Sequence, residues 1–163
     1  MEEKTSMSLP NSMLLFLQKF LTITKPTRSL EFGTGAGVGT ELLAMLSKQV
    51  ITLDHDLNWS KYTQQKLSKK GIHNVAYLVG YNIALPYGDF DILLVDGPPG
   101  GLARRDAVIR YWKYLKPGAT IILDDVCRKD EQNALITWKK LYGAKTEIIK
   151  TDRDIGICVK PKK

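Results

Sequence analysis

The residues whose types and spacing best suit ligand binding lie in a glycine-rich turn at positions 33–39. It carries Gly33, Gly35, Gly37 and Gly39. A short apolar run precedes the turn and an amphipathic run follows it, which predicts a strand, a tight turn and a helix. Glycines accept positive φ angles and let a ligand lie close to bare backbone N–H groups, and the start of a helix adds partial positive charge. We therefore expect the turn to bind a ligand.

A carboxylate follows this turn at a distance typical of nucleoside sites. The β run at 50–53 leads to Asp54, nineteen residues after Gly35. An acid at the end of the second strand is placed to accept hydrogen bonds from ribose hydroxyls. The dinucleotide fingerprint G-x-G-x-x-G/A is not matched, because Val38 stands at its third glycine position. The alternative, a glycine-rich turn that binds nothing, is disfavoured by the position of Asp54.

Strands and helices alternate along the chain and must position these groups. The sequence predicts strands at 29–33, 50–54, 74–79, 91–96, 120–123, 145–150 and 155–160, and helices at 11–24, 38–47, 59–70, 104–115 and 130–142. The last two strands are predicted to pair like a hairpin at one edge. This alternation predicts an α/β fold, a three-layer sandwich with a seven-stranded, mostly parallel sheet. Ligands bind such sheets at the carboxyl ends of the strands.

Length and cysteine content indicate the domain organisation and the compartment. The 163 residues suit a single domain, 1–163, in which residues 1–28 form an N-terminal helix and linker that pack on the core. Cys127 and Cys158 have neither metal-ligand spacing nor a disulfide framework. Each is predicted to be a small buried hydrophobe in a reducing, cytoplasmic compartment.

Neither a membrane partner nor a signal peptide is predicted. Gln18 interrupts the apolar run at 13–17, and residues 1–4 are not a basic leader. The net charge is +7, with eight Lys/Arg against three Asp/Glu at 139–163 and four lysines without an acid at 61–70. Basic stretches can bind nucleic acid, but no arginine–aromatic interleaving accompanies these lysines. A solvated helix face and a basic tail are therefore the favoured interpretation.

Several segments together resemble the class I S-adenosylmethionine (SAM) methyltransferases. Glu31 and the glycines resemble motif I of that class, E-x-G-x-G-x-G. Residues 54–59 are similar to the acid-His-Asp-x-x-Trp segment of a bacterial branch of the class, and residues 95–100 resemble its strand-four end. Residues 124–131 resemble its Asp-Asp-x-x-Arg-x-x-Glu segment. The resemblance covers nearly the whole chain, and it implies a Rossmann-like methyltransferase fold with SAM as the cofactor.

The resemblance also implies which residues bind the cofactor. They are Glu31, Gly33, Gly35, Gly37, Asp54, His55, Asn82 and Asp96. The glycines would line the methionine and ribose parts, Glu31 would approach the methionine amino group, and Asp54 would accept from the ribose hydroxyls. His55 would flank the adenine, or it is simply a partly exposed loop histidine. Asn82 would pair with the adenine amino group, where methyltransferases often carry an acid.

Catalysis and acceptor binding are implied at the ends of strands four and five. Asp96 would face the methyl group and the acceptor, and it is the candidate general base. Asp124 and Arg128 would bind the acceptor. Arg128 and Glu131 alternatively pair with each other, because they lie one helical turn apart.

A weaker resemblance to catechol-type O-methyltransferases raises the question of a metal. Those enzymes hold Mg²⁺ with acidic residues at the ends of strands four and five, where Asp96, Asp124 and Asp125 stand here. Carboxylate oxygens suit Mg²⁺. The lysine base of those enzymes is replaced here by Pro99. The favoured alternative has no metal, and the carboxylates are held by hydrogen bonds and by Arg128.

Three functions remain open at this point. The leading prediction is methyl transfer from SAM to an oxygen of a small-molecule or sugar acceptor. The second is an RNA methyltransferase, suggested by the charge, although residues 96–100 lack the aromatic and the spacing of adenine-methylating Asn/Asp-Pro-Pro-Tyr/Phe motifs. The third is a SAM-binding module without catalysis. The oligomeric state is left open by the sequence.

Overall fold

The computed structural model of the chain describes residues 9–163. The helices are α1 (Asn11–Thr24), α2 (Val38–Leu46), α3 (Leu57–Lys69), α4 (Gly101–Tyr111), which a short 3₁₀ helix (Trp112–Tyr114) follows, and α5 (Lys129–Tyr142). The strands are β1 (Arg28–Phe32), β2 (Gln49–Asp54), β3 (Val75–Val79), β4 (Phe90–Val95), β5 (Leu115–Leu123), β6 (Lys145–Ile149) and β7 (Ile155–Val159).

The described residues form one seven-stranded sheet in the order β3-β2-β1-β4-β5-β7-β6. Strands β1 to β5 pair in parallel, whereas β7 runs antiparallel to both β5 and β6. The predicted sheet and the hairpin-like pair at its edge are thereby confirmed. The strand order reverses between β1 and β4, and in open α/β sheets ligands bind beside such a switch point.

Two apolar layers cover the faces of this sheet. Leu93 and Val95 of β4 face the layer that α4 and α5 complete, and Ile92 and Leu94 face the layer of α1 and α2. Successive side chains of a strand point to opposite faces, so a continuous apolar run marks a strand that is buried on both sides. The predicted three-layer sandwich is confirmed.

Two helix boundaries differ from the predicted ones. Helix α3 begins two residues earlier, at Leu57, because the Asp56 side chain accepts a hydrogen bond from the backbone N–H of Asn58 at 2.7 Å and caps the first turn. The helix predicted at 104–115 begins at Gly101, and the 3₁₀ helix takes the place of its last turn.

Strand β5 is longer than predicted. Pro117 and Gly118 are typical of a break, and the predicted strand therefore spans only 120–123. The observed strand starts at Leu115 and continues through both residues, with a register shift in its pairing with β4. Proline is tolerated at such irregular positions because the regular ladder does not need its missing N–H.

Helix α1 packs on the core, since Met13, Leu17 and Leu21 are fully buried with α2 and the sheet. The predicted burial of the cysteines is confirmed for Cys158 but is wrong for Cys127, which is exposed. The assignment of residues 1–163 to a single domain stays a prediction. The signal-peptide expectation concerns residues 1–4, which lie outside the described part of the chain. Between residues 9 and 163, we find no helix whose length and apolar character would let it cross a membrane.

Candidate functional site

A cleft of about 350 Å³ opens at the carboxyl ends of β1, β2 and β4. Its lining includes predicted site residues, namely Gly33, Gly35, Asp54, His55, Asp96, Asp125 and Arg128. It also includes residues that were not predicted to have a role, namely Tyr81, Arg104 and Arg153. The predicted residues Glu31, Gly37, Asn82 and Asp124 lie outside this lining. The volume is in the range of small-molecule sites, about 300–1,000 Å³.

At the floor of the cleft, the backbone segments that follow β1 and β4 pass close to each other. Gly33 has a φ of 96°, and a Cβ atom on it would lie 2.9 Å from the carbonyl carbon of Asp96. A Cβ atom on Gly97 would lie 2.9 Å from the Cα of Gly33 and still closer to the hydroxyl of Tyr81. Side chains do not fit between these backbones, so the glycines are required here by packing.

The glycine turn is held from β2 and from α3. Asp54 accepts hydrogen bonds from the backbone N–H groups of Gly35 and Asp56, both at 3.0 Å. Thr63 donates its hydroxyl to the carbonyl oxygen of Gly35 at 2.8 Å. Lys66 donates to the carbonyl oxygen of Ala36 at 2.9 Å. The shape of the turn therefore depends on contacts with the end of β2 and with α3.

Glu31 is a buried carboxyl behind the turn. It is 1% exposed and accepts hydrogen bonds from the hydroxyls of Thr40 and Thr52 at 2.6 and 2.7 Å. Burial raises its pKa from 4.5 to about 8, against the lowering effect of these two bonds. Residues that include Glu31, Gly37 and Asp96 line a small cavity of about 10 Å³. This space suits about one water molecule or one small polar group.

Of the two predicted adenine contacts, His55 and Asn82, only His55 lines the cleft. His55 lines the cleft, with its Nδ1 atom 3.3 Å from a carboxylate oxygen of Asp54, although 62% of its side chain is exposed. Asn82 is exposed and lies outside the lining. The preceding Tyr81 lines the cleft instead, with its ring edge-on to Phe32. Burial raises the pKa of Tyr81, so its hydroxyl stays protonated and can donate a hydrogen bond.

A carboxylate cluster closes the other end of the cleft. Among residues 9–163, one oxygen each of Asp96, Asp124 and Asp125 lie within 4.8 Å of one another. Burial raises the pKa of Asp96 to about 7, and the Asp124 carboxylate adds to this rise. Burial and the charge of Asp125 raise the pKa of Asp124 as well. A group with a pKa near 7 is suited to proton transfer at neutral pH.

Guanidinium groups neutralise this carboxylate cluster. Arg104 is 4% exposed, and it lies 3.4 Å from Asp125 and 3.7 Å from Asp96. Arg153, from the turn between β6 and β7, donates to Asp124 at 2.8 Å. Arg128 lies 3.0 Å from Asp125 and 3.9 Å from Glu131, so the predicted pairing of Arg128 with Glu131 is present but is the longer contact.

Arg104 and Arg153 were missed by sequence reasoning. Arg104 contacts acids that lie about eight to thirty positions away in the chain, and Arg153 contacts acids about thirty positions away. The alternation of elements does not indicate which of these side chains meet. One signal was available for Arg104. It lies four and seven residues before Val108 and Tyr111, and therefore on the buried face of α4, where an arginine needs partners.

Comparison with known proteins finds methyltransferases that are similar to parts of this chain. No protein-family model matches it. A protein-L-isoaspartate O-methyltransferase from Shewanella halifaxensis is 37% identical over 57 residues, which are 35% of this chain and 27% of that protein. The chain spans 26–54% of the length of the curated relatives that it matches.

Solved structures match over almost the whole chain. A SAM-dependent O-methyltransferase from Thermotoga maritima superposes with a TM-score of 0.82 at 18% identity, over 98% of this chain and 68% of that one. An O-methyltransferase from Bacillus cereus in complex with SAH gives 0.80 at 19% identity, over 96% and 84%. The fold is therefore the Rossmann-like fold of class I methyltransferases. The predicted resemblance to this class is confirmed, because the relatives and the structural neighbours named here are methyltransferases.

Proposed function

We propose that this chain is a SAM-dependent methyltransferase that acts on an oxygen of a small-molecule or sugar acceptor. The observation that carries the proposal is one cleft in which the glycine turn, Asp54 and Asp96 meet at the carboxyl ends of β1, β2 and β4. Similar proteins that carry the name O-methyltransferase support the same reaction class.

The polar groups of the cleft fit the parts of SAM. Two carboxylate oxygens offer about four lone-pair sites, and two of those of Asp54 are taken by backbone N–H groups. The remaining sites would accept the ribose hydroxyls. Glu31 and the small cavity beside it would take the methionine amino group, whose positive charge would favour the ionised form of Glu31. Tyr81, rather than the exposed Asn82, would contact the cofactor after β3.

When bound, SAM would supply a methyl group on a positively charged sulfur for transfer to an acceptor oxygen. The protein must hold that oxygen and remove its proton. Asp96 would do both, because it lines the cleft and its pKa is raised to about 7. Arg104 donates to the backbone carbonyl oxygens of Asp96 and Asp124 at 3.0 and 3.2 Å, and so holds this base in place.

The charges of the cleft favour a hydroxyl acceptor without an anionic group. Four carboxylates and three guanidinium groups line it. Carboxyl or phosphate groups of an acceptor would therefore be repelled, as like charges are in poorly solvated surroundings. The basic stretch on α3 gives little support to an RNA substrate, because Lys66 is bonded to a backbone carbonyl and Lys70 pairs with Glu41.

Release of S-adenosylhomocysteine (SAH) tests this proposal across a panel of catechols, sugars, small carboxylic acids and RNA. We expect turnover with neutral hydroxyl compounds and its loss in Asp96→Asn. Asp106→Asn, an exposed change on α4, is the matched control. Turnover on RNA alone would favour the second function. SAM binding without turnover on any acceptor, together with an unaltered affinity in Asp96→Asn, would favour the non-catalytic module.

A further inference from the structure

Asp96, Asp124 and Asp125 form the carboxylate group that would suit a divalent cation. Their nearest oxygens lie within 4.8 Å of one another in the described part of the chain. Hard oxygen ligands of this kind bind Mg²⁺ and Ca²⁺ at about 2.0–2.6 Å. One oxygen each of Asp124 and Asp125 is buried and has no hydrogen-bond partner among residues 9–163. The ligand atoms alone would therefore fit a cation.

Arg153 already places a cation between two of these carboxylates. Its Nη2 atom lies 2.8 Å from Oδ2 of Asp124, and its Nε atom lies 3.3 Å from Oδ1 of Asp125. The planar guanidinium thus spans both acids with two adjacent nitrogen atoms. A divalent ion bound between Oδ2 of Asp124 and Oδ1 of Asp125 would have to enter the space that these N–H groups fill. Arg153 and such an ion therefore exclude each other.

The arginine is fixed in this position by its surroundings. It stands in the turn between β6 and β7, where Lys150 pairs with Asp154 at 2.7 Å and the backbone N–H of Thr151 bonds to Asp154 at 3.1 Å. Ser12 of α1 donates to Asp152 in the same turn. One third of the Arg153 side chain is exposed, on the side of the cleft.

On the opposite side, Arg104 contacts Asp125 at 3.4 Å and Glu131 at 3.5 Å, while Arg128 contacts Asp125 at 3.0 Å. The positive charge that these acids require is thus supplied from within the chain. The residues present do not fit a resident metal ion as they stand.

We propose that the guanidinium of Arg153 holds the place of a divalent cation between Asp124 and Asp125. The parent protein then binds no divalent ion in the cleft, and removal of the Arg153 side chain creates a cation site there. The inference does not depend on methyl transfer, because binding of Mn²⁺ alone can be measured without SAM and without an acceptor.

The experiment is a titration of Mn²⁺ followed by electron paramagnetic resonance. The samples are the parent protein, Arg153→Ala, Arg153→Lys and the double variant Arg153→Ala/Asp124→Asn. We expect Arg153→Ala to bind one Mn²⁺ at least about tenfold tighter than the parent. Arg153→Lys keeps the positive charge and should behave like the parent, and the double variant should lose the new site. Arg105→Ala, on the exposed side of α4, is the control for loss of an arginine outside the cleft.

Two results would overturn the proposal. One is a single Mn²⁺ site in the parent protein that Asp124→Asn abolishes, and the other is a folded Arg153→Ala variant without such a site. Arg153→Ser gives the same test with a second small, neutral side chain. The melting temperature of either variant should rise with Mn²⁺, because a ligand of the folded state stabilises it. If no acceptor leads to SAH release but Arg153→Ala binds Mn²⁺ as expected, the methyltransferase proposal is rejected and the proposed role of Arg153 stands.

Discussion

The backbone N–H of Gly35 donates to the Asp54 carboxylate at 3.0 Å, so the end of β2 holds the turn that follows β1. The acid predicted to face a ribose thus also shapes the glycine turn. The two roles would use different lone pairs of the same carboxylate. A change at Asp54 should therefore affect ligand affinity through lost contacts and through a less ordered turn.

Asp54→Ala should weaken the binding of SAM by about 1–3 kcal/mol, the usual cost of leaving buried polar groups without partners. Titration calorimetry with SAM measures this directly, with Asp106→Ala as the control for loss of an exposed aspartate. Equal affinity in Asp54→Ala and in the parent would remove Asp54 from the cofactor site.

Thr63→Val should weaken the binding of SAM by about 1 kcal/mol, the typical net value of one hydrogen bond. The change keeps the shape of the side chain but removes the hydroxyl that bonds to the carbonyl oxygen of Gly35. Because Thr63 lies outside the cleft lining, turnover at saturating SAM should stay near the parent value. Thr137→Val is the matched control, since its hydroxyl bonds to a backbone carbonyl on the exposed face of α5. A lower turnover at saturating SAM would contradict a role limited to the turn.

Asp96→Asn should lower turnover about 10²–10⁴-fold, as expected for a lost acid-base group. The pKa of Asp96 is raised to about 7 by burial and by the Asp124 carboxylate. A general base at Asp96 would therefore be protonated and inactive below this pH, and ionised and active above it. In the parent, kcat/KM should rise as the pH increases through about 7, and SAH release across pH 5.5–8.5 would check it. An undiminished rate in Asp96→Asn would assign the proton transfer to another group.

Glu31→Gln should flatten the pH dependence of stability. The pKa of Glu31 is about 8 in the folded protein and 4.5 ordinarily, so between these values the folded state binds a proton that the unfolded state has lost. The parent therefore loses up to about 1.4 kcal/mol of unfolding free energy per pH unit from this group as the pH rises through that window. The amide side chain of the variant is neutral throughout and still accepts from Thr40 and Thr52.

Urea unfolding at pH 5 and at pH 8 measures the effect. Asp96 and Asp124 also have raised pKa values and act in the same direction. Subtracting the pH dependence of the unfolding free energy of Glu31→Gln from that of the parent isolates the contribution of Glu31. Parallel pH dependences would show that Glu31 is ionised in the folded protein at both values.

Most of the fold could be predicted because the apolar pattern is local. A continuous apolar run such as residues 91–96 indicates a strand that is buried on both faces, and the glycine turn indicates where a strand meets a helix. The extent of β5 could not be predicted, because Pro117 and Gly118 break a regular strand but are tolerated at a register shift. Pairing with β4 and β7 outweighs the local preference there.

The site could be predicted only for residues that belong to a sequence motif. Asp54, Asp96 and the cluster of Asp124 and Asp125 lie at or directly after the ends of strands, so the sheet brings them together without further information. Arg104 and Arg153 reach the same place from a helix face and from a turn, and their contacts depend on the packing of α4 and the β6–β7 pair. A sequence pattern does not indicate such side-chain contacts.

The close approach of Gly33 to Gly97 has a consequence for how the protein folds. The two residues follow β1 and β4, whose partners Ser29 and Ile92 are separated by more than a third of the chain. Contacts between such distant segments form slowly, because a long loop must close before they stabilise anything. The turn and Asp54 are synthesised early, yet the floor beneath them exists only when β4 is in place. Acquisition of cofactor binding during refolding should therefore coincide with completion of the central sheet.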